Sequence, residues 1–184
     1  ITILKHISKD WAETSTMILT NGQLLSNEFV NKIKSANEKV SFGVPLYADC
    51  ESIHDSIVGR KGSFSRTVSG LLELSKIKCF VEIRILLMQQ NVRRLSKTIS
   101  YISRNLPFVS RVVIMGLEPA GKARNCWQDI FIDPVECHKE LSDCYRIAIN
   151  NGIPICFYNF QRCTLPEVLR PCLELSISDW KQYY

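Results

Sequence analysis

Cys79-Phe80-Val81-Glu82-Ile83-Arg84-Ile85-Leu86-Leu87-Met88 is an apolar run interrupted by two opposite charges. Read with the two-residue period of a β-strand, its faces differ. Val81, Ile83, Ile85 and Leu87 share one side, and Glu82, Arg84, Leu86 and Met88 share the other. The first set is fit to pack under helices. The second puts polar groups on the inner side of a strand, which favours a barrel whose lumen holds a ligand. An open doubly wound sheet remains the other solution for such a strand.

Outward from this run, strand and helix signals alternate. Ser15 to Thr20 reads as a short strand closed by the turn Thr20-Asn21-Gly22. Ser26 caps a helix with Phe29, Val30 and Ile33 on its inner stripe. Lys39 to Tyr47 alternates, with Val40, Phe42, Val44 and Leu46 on one face and Ser41, Gly43, Pro45 and Tyr47 on the other. A loop is expected from Ala48 to Lys61, and then a helix beginning at Gly62-Ser63-Phe64 and carrying Val68, Leu71 and Leu72. After the central run, Asn91 is expected to cap a helix with Val92, Leu95, Ile99 and Ile102 at helical spacing, stopped before Pro107. Ser110 to Gly116 is another strand. Asp133-Pro134-Val135-Glu136 resembles a capping box with proline at the first helical position, opening a helix that ends near Gly152. Ile153 to Asn159 is the last strand. Connections too long for hairpins imply parallel strands joined by right-handed crossovers, hence an α/β fold. In either architecture the site lies at the carboxyl ends of the strands. There Asn21, Tyr47, Met88-Gln89-Gln90 and Gly116-Leu117-Glu118 gather.

Composition excludes several classes. With 184 residues, 46% hydrophobic and 22% charged, the chain is long enough for one domain, 1–184, with a sizeable core. Its longest apolar runs fall far short of the roughly 20 residues that span a bilayer, so no membrane contact is expected. No basic segment followed by an apolar one stands near Ile1, so the expectation is a soluble, cytoplasmic protein. The sequence begins at Ile1 and reads as a piece of something longer. The net charge of +5 is spread along helix-like segments such as Lys32-Ile33-Lys34 and Arg93-Arg94. Nucleic-acid binding, which clusters such residues among aromatics, is not expected. The eight cysteines contain no CxxC pair and no tight cluster, so no zinc site can be read off. Cys137, Leu141, Cys144 and Ala148 recur at helical spacing and read as core, whereas Cys163 and Cys172 stay open. With only His6, His54 and His138, no nucleophilic triad can be assigned. There is no Walker loop or Rossmann fingerprint either. Oligomeric state leaves no signature.

Four segments carry a family resemblance. His54-Asp55-Ser56-Ile57-Val58-Gly59-Arg60-Lys61-Gly62-Ser63-Phe64 resembles the loop and helix start after the fourth strand of radical S-adenosylmethionine (radical SAM) enzymes. Thr20-Asn21-Gly22 resembles the exit of that family's third strand. Val112 to Asn125, with Gly116, Glu118, Gly121 and Asn125, is similar to its sixth-strand region. Tyr158-Asn159, Cys163, Leu165-Pro166 and Ser176-Ile177-Ser178-Asp179-Trp180 resemble one subgroup, the His-Xaa-Ser system maturases.

The resemblance implies an enzyme in which a 4Fe-4S cluster, held by three cysteines in CxxxCxxC, cleaves S-adenosylmethionine. The 5′-deoxyadenosyl radical so formed takes a hydrogen from a peptide or small-protein substrate. CxxxCxxC and the family's Gly-Gly-Glu stretch are absent from this sequence. The resemblance places residues 1–14 at the end of the family's second helix, with both motifs upstream. The fold class expected is therefore α/β, a partial parallel (β/α) barrel of the radical SAM, TIM-like type, truncated at its N-terminus. Residues 160–184 would start a C-terminal extension. S-adenosylmethionine and the cluster would belong to the full-length protein, with neither held tightly by this fragment, which would be inactive.

By the same resemblance, Asn21, Tyr47, Arg84, Gly116, Leu117 and Glu118 are the cofactor-binding candidates. Arg84 would stand near the cofactor's carboxylate; the competing reading is an internal ion pair with Glu82. Gly116, Leu117 and Glu118 would lie beside the adenine, though Met115 stands where a glycine is common. The sequence also departs from the family where its fourth-strand serine and aspartate become Pro45 and Tyr47. The arginine common after His-Asp is Val58. His54 and Asp55 read as residues that order their loop, and Cys163 as either a packed thiol or an auxiliary-cluster ligand. The reading from another class is a non-catalytic partial barrel that binds a partner.

Overall fold

The alternating apolar runs pair into one parallel sheet in the computed structural model, which describes residues 1–174. Its strands are β1 (Thr16–Leu19), β2 (Val40–Pro45), β3 (Phe80–Leu86), β4 (Arg111–Met115) and β5 (Ile155–Tyr158), in the spatial order β1-β2-β3-β4-β5. Helices α1 (Thr2–Asp10), α2 (Asn27–Ala36), α3 (Glu51–Val58), α4 (Ser63–Ser75), α5 (Leu95–Asn105), α6 (Trp127–Ile130) and α7 (His138–Asn150) precede or connect them.

That order decides between the two architectures. A right-handed crossover repeated in one spatial direction puts every connecting helix on the same face, whereas a doubly wound sheet reverses direction and covers both. The helix-side residues Phe42, Val44, Ile83, Ile85, Val112, Ile114 and Phe157 are buried, and the other face is left bare for a ligand. The sheet is therefore an arc of a (β/α) barrel, and it is not closed among the described residues. Beyond β5, Leu173 bridges Phe157 in parallel and the Glu174 N–H donates to Phe157 O at 2.8 Å.

Register turns the bare face into rows. Leu19, Gly43, Glu82 and Arg111 stand side by side across four strands, Pro45, Arg84, Val113 and Cys156 form the next row, and Leu86, Met115 and Tyr158 the one nearest the strand exits.

Local signals hold at most boundaries. Ser26 Oγ accepts the Phe29 N–H at 3.3 Å and caps α2, and Asp133 Oδ1 accepts the Val135 N–H at 2.9 Å before α7. Cys137, Leu141, Cys144 and Ala148 are all buried. Burial first, with nearby carboxylates adding to it, pushes the thiols of Cys137 and Cys144 up, to about 11 and about 12.

Expectations fail around two helices and one loop. The loop predicted from Ala48 to Lys61 contains α3, which buries only His54 and so has no apolar stripe to betray it. Phe29 is 43% exposed because α2 turns Val30, Ile33 and Ala36 inward instead. Leu72 is 46% exposed, and the inner stripe of α4 runs through Thr67, Gly70, Leu71 and Leu74. No helix among the described residues is long and apolar enough to cross a membrane. Ser176 to Trp180, part of the subgroup resemblance, lies outside the described residues.

Candidate functional site

The bare face is organised around one buried carboxylate. The Glu82 side chain is 1% exposed, and its Oε1 accepts from Arg84 Nε at 2.7 Å. Its Oε2 accepts from Arg111 Nε at 2.8 Å and also from Arg111 Nη2. A buried charge persists only when paired and hydrogen-bonded, and two arginines satisfy both oxygens. Burial works against the charged form of Arg111, but the Glu82 carboxylate outweighs it and the guanidinium is held above its usual range. Arg111 also lies 5.8 Å from the centroid of the Phe80 ring. The ion pair between Arg84 and Glu82 that competes with a ligand role is thus formed, yet Arg84 still faces open space.

Two adjoining cavities occupy that space. The first, about 360 Å³, is lined by Asn21, Pro45, Tyr47, Arg84, Leu86 and Met115 among others. The second, about 690 Å³, is lined by residues including Arg84, Arg111, Leu117, Glu118, Cys156 and Tyr158. Arg84, Leu86, Met115 and Leu19 belong to both. Of the six cofactor-binding candidates, the structure brings Asn21, Tyr47 and Arg84 together in the first cavity and Arg84, Leu117 and Glu118 in the second. Gly116 lies behind the wall. Its N–H donates to Tyr158 O at 2.9 Å, its carbonyl accepts from Asn159 Nδ2 at 3.0 Å, and a Cβ there would come within 2.3 Å of Asn159 O. Glycine is what lets the exits of β4 and β5 approach this closely.

The walls are fixed from behind. Thr67 Oγ1 of α4 donates to Asn21 O at 3.1 Å, and Asn21 Oδ1 accepts the Gln23 N–H at 3.1 Å. Asn91 is buried; its Nδ2 donates to Tyr47 O at 3.0 Å and Leu86 O at 2.8 Å, while its Oδ1 accepts the Met88 N–H at 2.9 Å. It therefore ties the exits of β2 and β3 together at the cavity rim, and it does not cap a helix as its sequence position predicts. The Tyr47 N–H donates to His54 Nδ1 at 3.2 Å. Burial lowers the pKa of His54, against a smaller raising effect of Asp55. The ring is thus neutral, with its proton on Nε2.

Asp55 faces the other way and accepts the N–H groups of Gly62 and Phe64, the latter at 2.8 Å, at the start of α4. Partial desolvation works to raise its pKa, but these donors outweigh it and hold the carboxyl below the usual carboxylate range. The stability it supplies is complete above the unfolded-state value near 4 and is lost as pH falls through the lower folded value. Urea unfolding at pH 7, 5 and 3 is expected to show wild type more stable than Asp55→Asn at pH 7 and 5, with the gap closing toward pH 3.

A metal site does not assemble. Among the described residues no three His, Cys, Asp or Glu side chains are grouped to hold a metal ion. The Cys156 thiol in the larger cavity is pushed up to about 11, chiefly by burial.

Known proteins resolve what this architecture is. No family model matches the chain. The AdoMet-dependent heme synthase of Methanosarcina barkeri (strain Fusaro / DSM 804) is 30% identical over 165 residues, 88% of this chain and 45% of that protein. The antilisterial bacteriocin subtilosin biosynthesis protein AlbA of Bacillus subtilis (strain 168) is 31% identical over 90 residues, 49% of this chain and 20% of that protein. The crystal structure of Streptococcus suis SuiB bound to S-adenosylmethionine superposes with a TM-score of 0.63 over 87% of this chain and 34% of that one. At 12% identity that match speaks to the fold alone. The chain belongs to the radical SAM superfamily. It spans less than half the length of the curated relatives it matches.

For a radical SAM chain, the exits of β1 to β4 are where sequence resemblance points, and the cavities stand there. Sequence reasoning missed Asn91, Thr67 and Arg111 as parts of this site. Asn91 and Thr67 act on backbone groups distant in sequence, and Arg111 opens a strand whose partner row is set by register.

Proposed function

We propose that the chain is part of a radical S-adenosylmethionine enzyme that modifies a peptide or small protein by hydrogen abstraction, within the subgroup of His-Xaa-Ser maturases. The observation that carries this reading is the pair of adjoining cavities at the strand exits, which share Arg84. Their volumes fall in the range of organic-ligand sites. Relatives support it: SuiB has been crystallised with its precursor peptide SuiA, and AlbA is a bacteriocin biosynthesis protein.

The donor set suits an adenosyl ligand. Asn21, Tyr47 and Arg84 offer an amide, a phenol and a guanidinium around a volume closed by Pro45, Leu86 and Met115, a match for a body with an apolar ring face and polar edges. S-adenosylmethionine, when bound, supplies the deoxyadenosyl group that takes the substrate hydrogen. Arg84 is held by Glu82 through Nε and touches only the weak acceptor Met17 Sδ, at 3.5 Å, through Nη2, so its guanidinium still has N–H groups to offer a carboxylate or hydroxyl. Leu117 and Glu118, the residues expected beside the adenine, border the larger cavity together with Arg84, and the rest of that volume is left for the substrate. The cluster does not fit the residues present: the chain has no CxxxCxxC, and no step is assigned to it.

Titration calorimetry tests the reading. The chain alone is expected to bind S-adenosylmethionine weakly, with Kd on the order of 1 mM, and Arg84→Ala to weaken binding about tenfold. Binding of a His-Xaa-Ser peptide without any binding of S-adenosylmethionine would replace this reading with that of a non-catalytic binding module.

A further inference from the structure

Tyr47 follows the last ladder bond of β2, in which the Leu46 N–H donates to Arg84 O at 3.1 Å. Beyond that point a chain leaving the sheet has no strand partner. Two buried polar side chains supply one instead, His54 from seven residues on and Asn91 from forty-four residues on. Both are 1% exposed. The His54 ring stacks at 5.5 Å from the Tyr47 ring, tilted by 36°, and packs edge-on against Phe64 at 5.7 Å. His54 Nε2 is buried without a hydrogen-bond partner. A fold that leaves such a donor unmade retains the ring for what its other nitrogen does.

What Tyr47 does is visible from the volumes beside it. A recess of about 310 Å³ behind β2 is lined by Asn21, Gln23, Tyr47, His54, Val58 and Thr67 among others. Tyr47, Asn21 and Pro45 line both this recess and the first cavity of the site. The half-buried phenol is the bulky member of the three and stands as the partition.

We infer that His54 and Asn91 are positioning residues that grip the Tyr47 backbone from both sides, so that its ring walls the ligand cavity off from the recess behind β2. The assignment rests on the function proposed above and gives that cavity its boundary. A ligand binds against a ring that is already in place, so no ordering cost is incurred on binding. Releasing either grip lets the ring swing and merges the two volumes.

The test uses the full chain labelled with 3-fluorotyrosine, the Tyr47 resonance being identified by its loss in Tyr47→Phe. Wild type is expected to give one narrow Tyr47 line. His54→Leu, which removes the acceptor, is expected to broaden it or shift it toward the position of an exposed tyrosine. His54→Asn, which keeps an acceptor near Nδ1, restores the narrow line. Asn91→Asp, which keeps the acceptor for Met88 but loses both donors, behaves like His54→Leu. If Asn91→Asp does not fold, the two His54 variants decide. An unchanged Tyr47 line in His54→Leu overturns the assignment. Calorimetry with S-adenosylmethionine adds a second reading: His54→Leu weakens binding about tenfold, and the loss disappears when Tyr47→Ala is also present. Equal losses in both backgrounds overturn it as well. Absence of binding by wild type overturns the functional reading while the fluorine spectrum still decides the grip on Tyr47.

Discussion

Glu82→Gln is expected to destabilise the fold by about 3 kcal/mol, measured by urea unfolding at neutral pH. Removing one partner of a buried ion pair costs about 3 to 5 kcal/mol, because the remaining charge stays desolvated. The low end applies because the Arg84 and Arg111 side chains keep 29% and 35% of their surface exposed and are partly rehydrated. Glutamine fits the space and still accepts one hydrogen bond, so the loss reports charge and not packing. A triple variant, Glu82→Met with Arg84→Met and Arg111→Leu, is expected to regain most of that loss, since a well-packed apolar set can match a buried ionic one. The triple variant also strips both cavities of their cations, and it separates stability from ligand binding. A Glu82→Gln protein within about 0.5 kcal/mol of wild type would mean that water already satisfies the arginines.

That triad marks the limit of what the sequence made legible. The two-residue period placed Glu82 and Arg84 on one face of one strand and pointed to an inward polar face, which the sheet bears out. It could not choose between an ion pair and a ligand contact, because Arg111 enters the row only through the pairing of β3 with β4. Strand register is set by turns and cores elsewhere, so a residue at the start of the next strand is invisible to a local reading. The strand order carries the same lesson. Alternating strands and helices established parallel pairing, but only the uniform direction of the crossovers, a property of the whole chain, selected the barrel arc.

The failures around Tyr47 have a related cause. Residues 51–58 form a helix with one buried side chain, a histidine, so periodicity had nothing to register. Asn91 sits immediately before a helical turn, where asparagine ordinarily caps. Its amide is spent instead on Tyr47, Leu86 and Met88, two strand exits that lie apart in sequence. Local chemistry identified the residue and tertiary contact gave it a different task. The candidates Asn21, Tyr47, Arg84, Leu117 and Glu118 came from resemblance, and the cavities now show which of them share a wall.

Gly70→Ala is expected to lower stability by about 3 kcal/mol and to weaken ligand binding at the same time. On helix propensity alone the substitution in the middle of α4 should stabilise by about 1 kcal/mol. A Cβ at Gly70, however, would lie 1.9 Å from Gly22 O and 2.9 Å from its carbonyl carbon. The obstacle is backbone, which cannot rotate aside as a side chain would, so α4 must move away from the turn that closes β1. Overpacking of this kind costs about 1 to 3 kcal/mol or more, enough to reverse the helical gain. The turn it displaces carries Asn21, whose carbonyl is held by Thr67 one turn earlier on the same helix. The wall shared by the first cavity and the recess behind β2 therefore shifts with α4. Ser69→Ala, exposed on the same helix, is the control, and it is expected to gain a few tenths of a kcal/mol from propensity without touching binding. If Gly70→Ala matched that control in both stability and affinity for S-adenosylmethionine, α4 would not be the element that holds Asn21 in the site. If both fall together, the close approach of a helix glycine to a strand-exit carbonyl is what registers the first wall of the cavity.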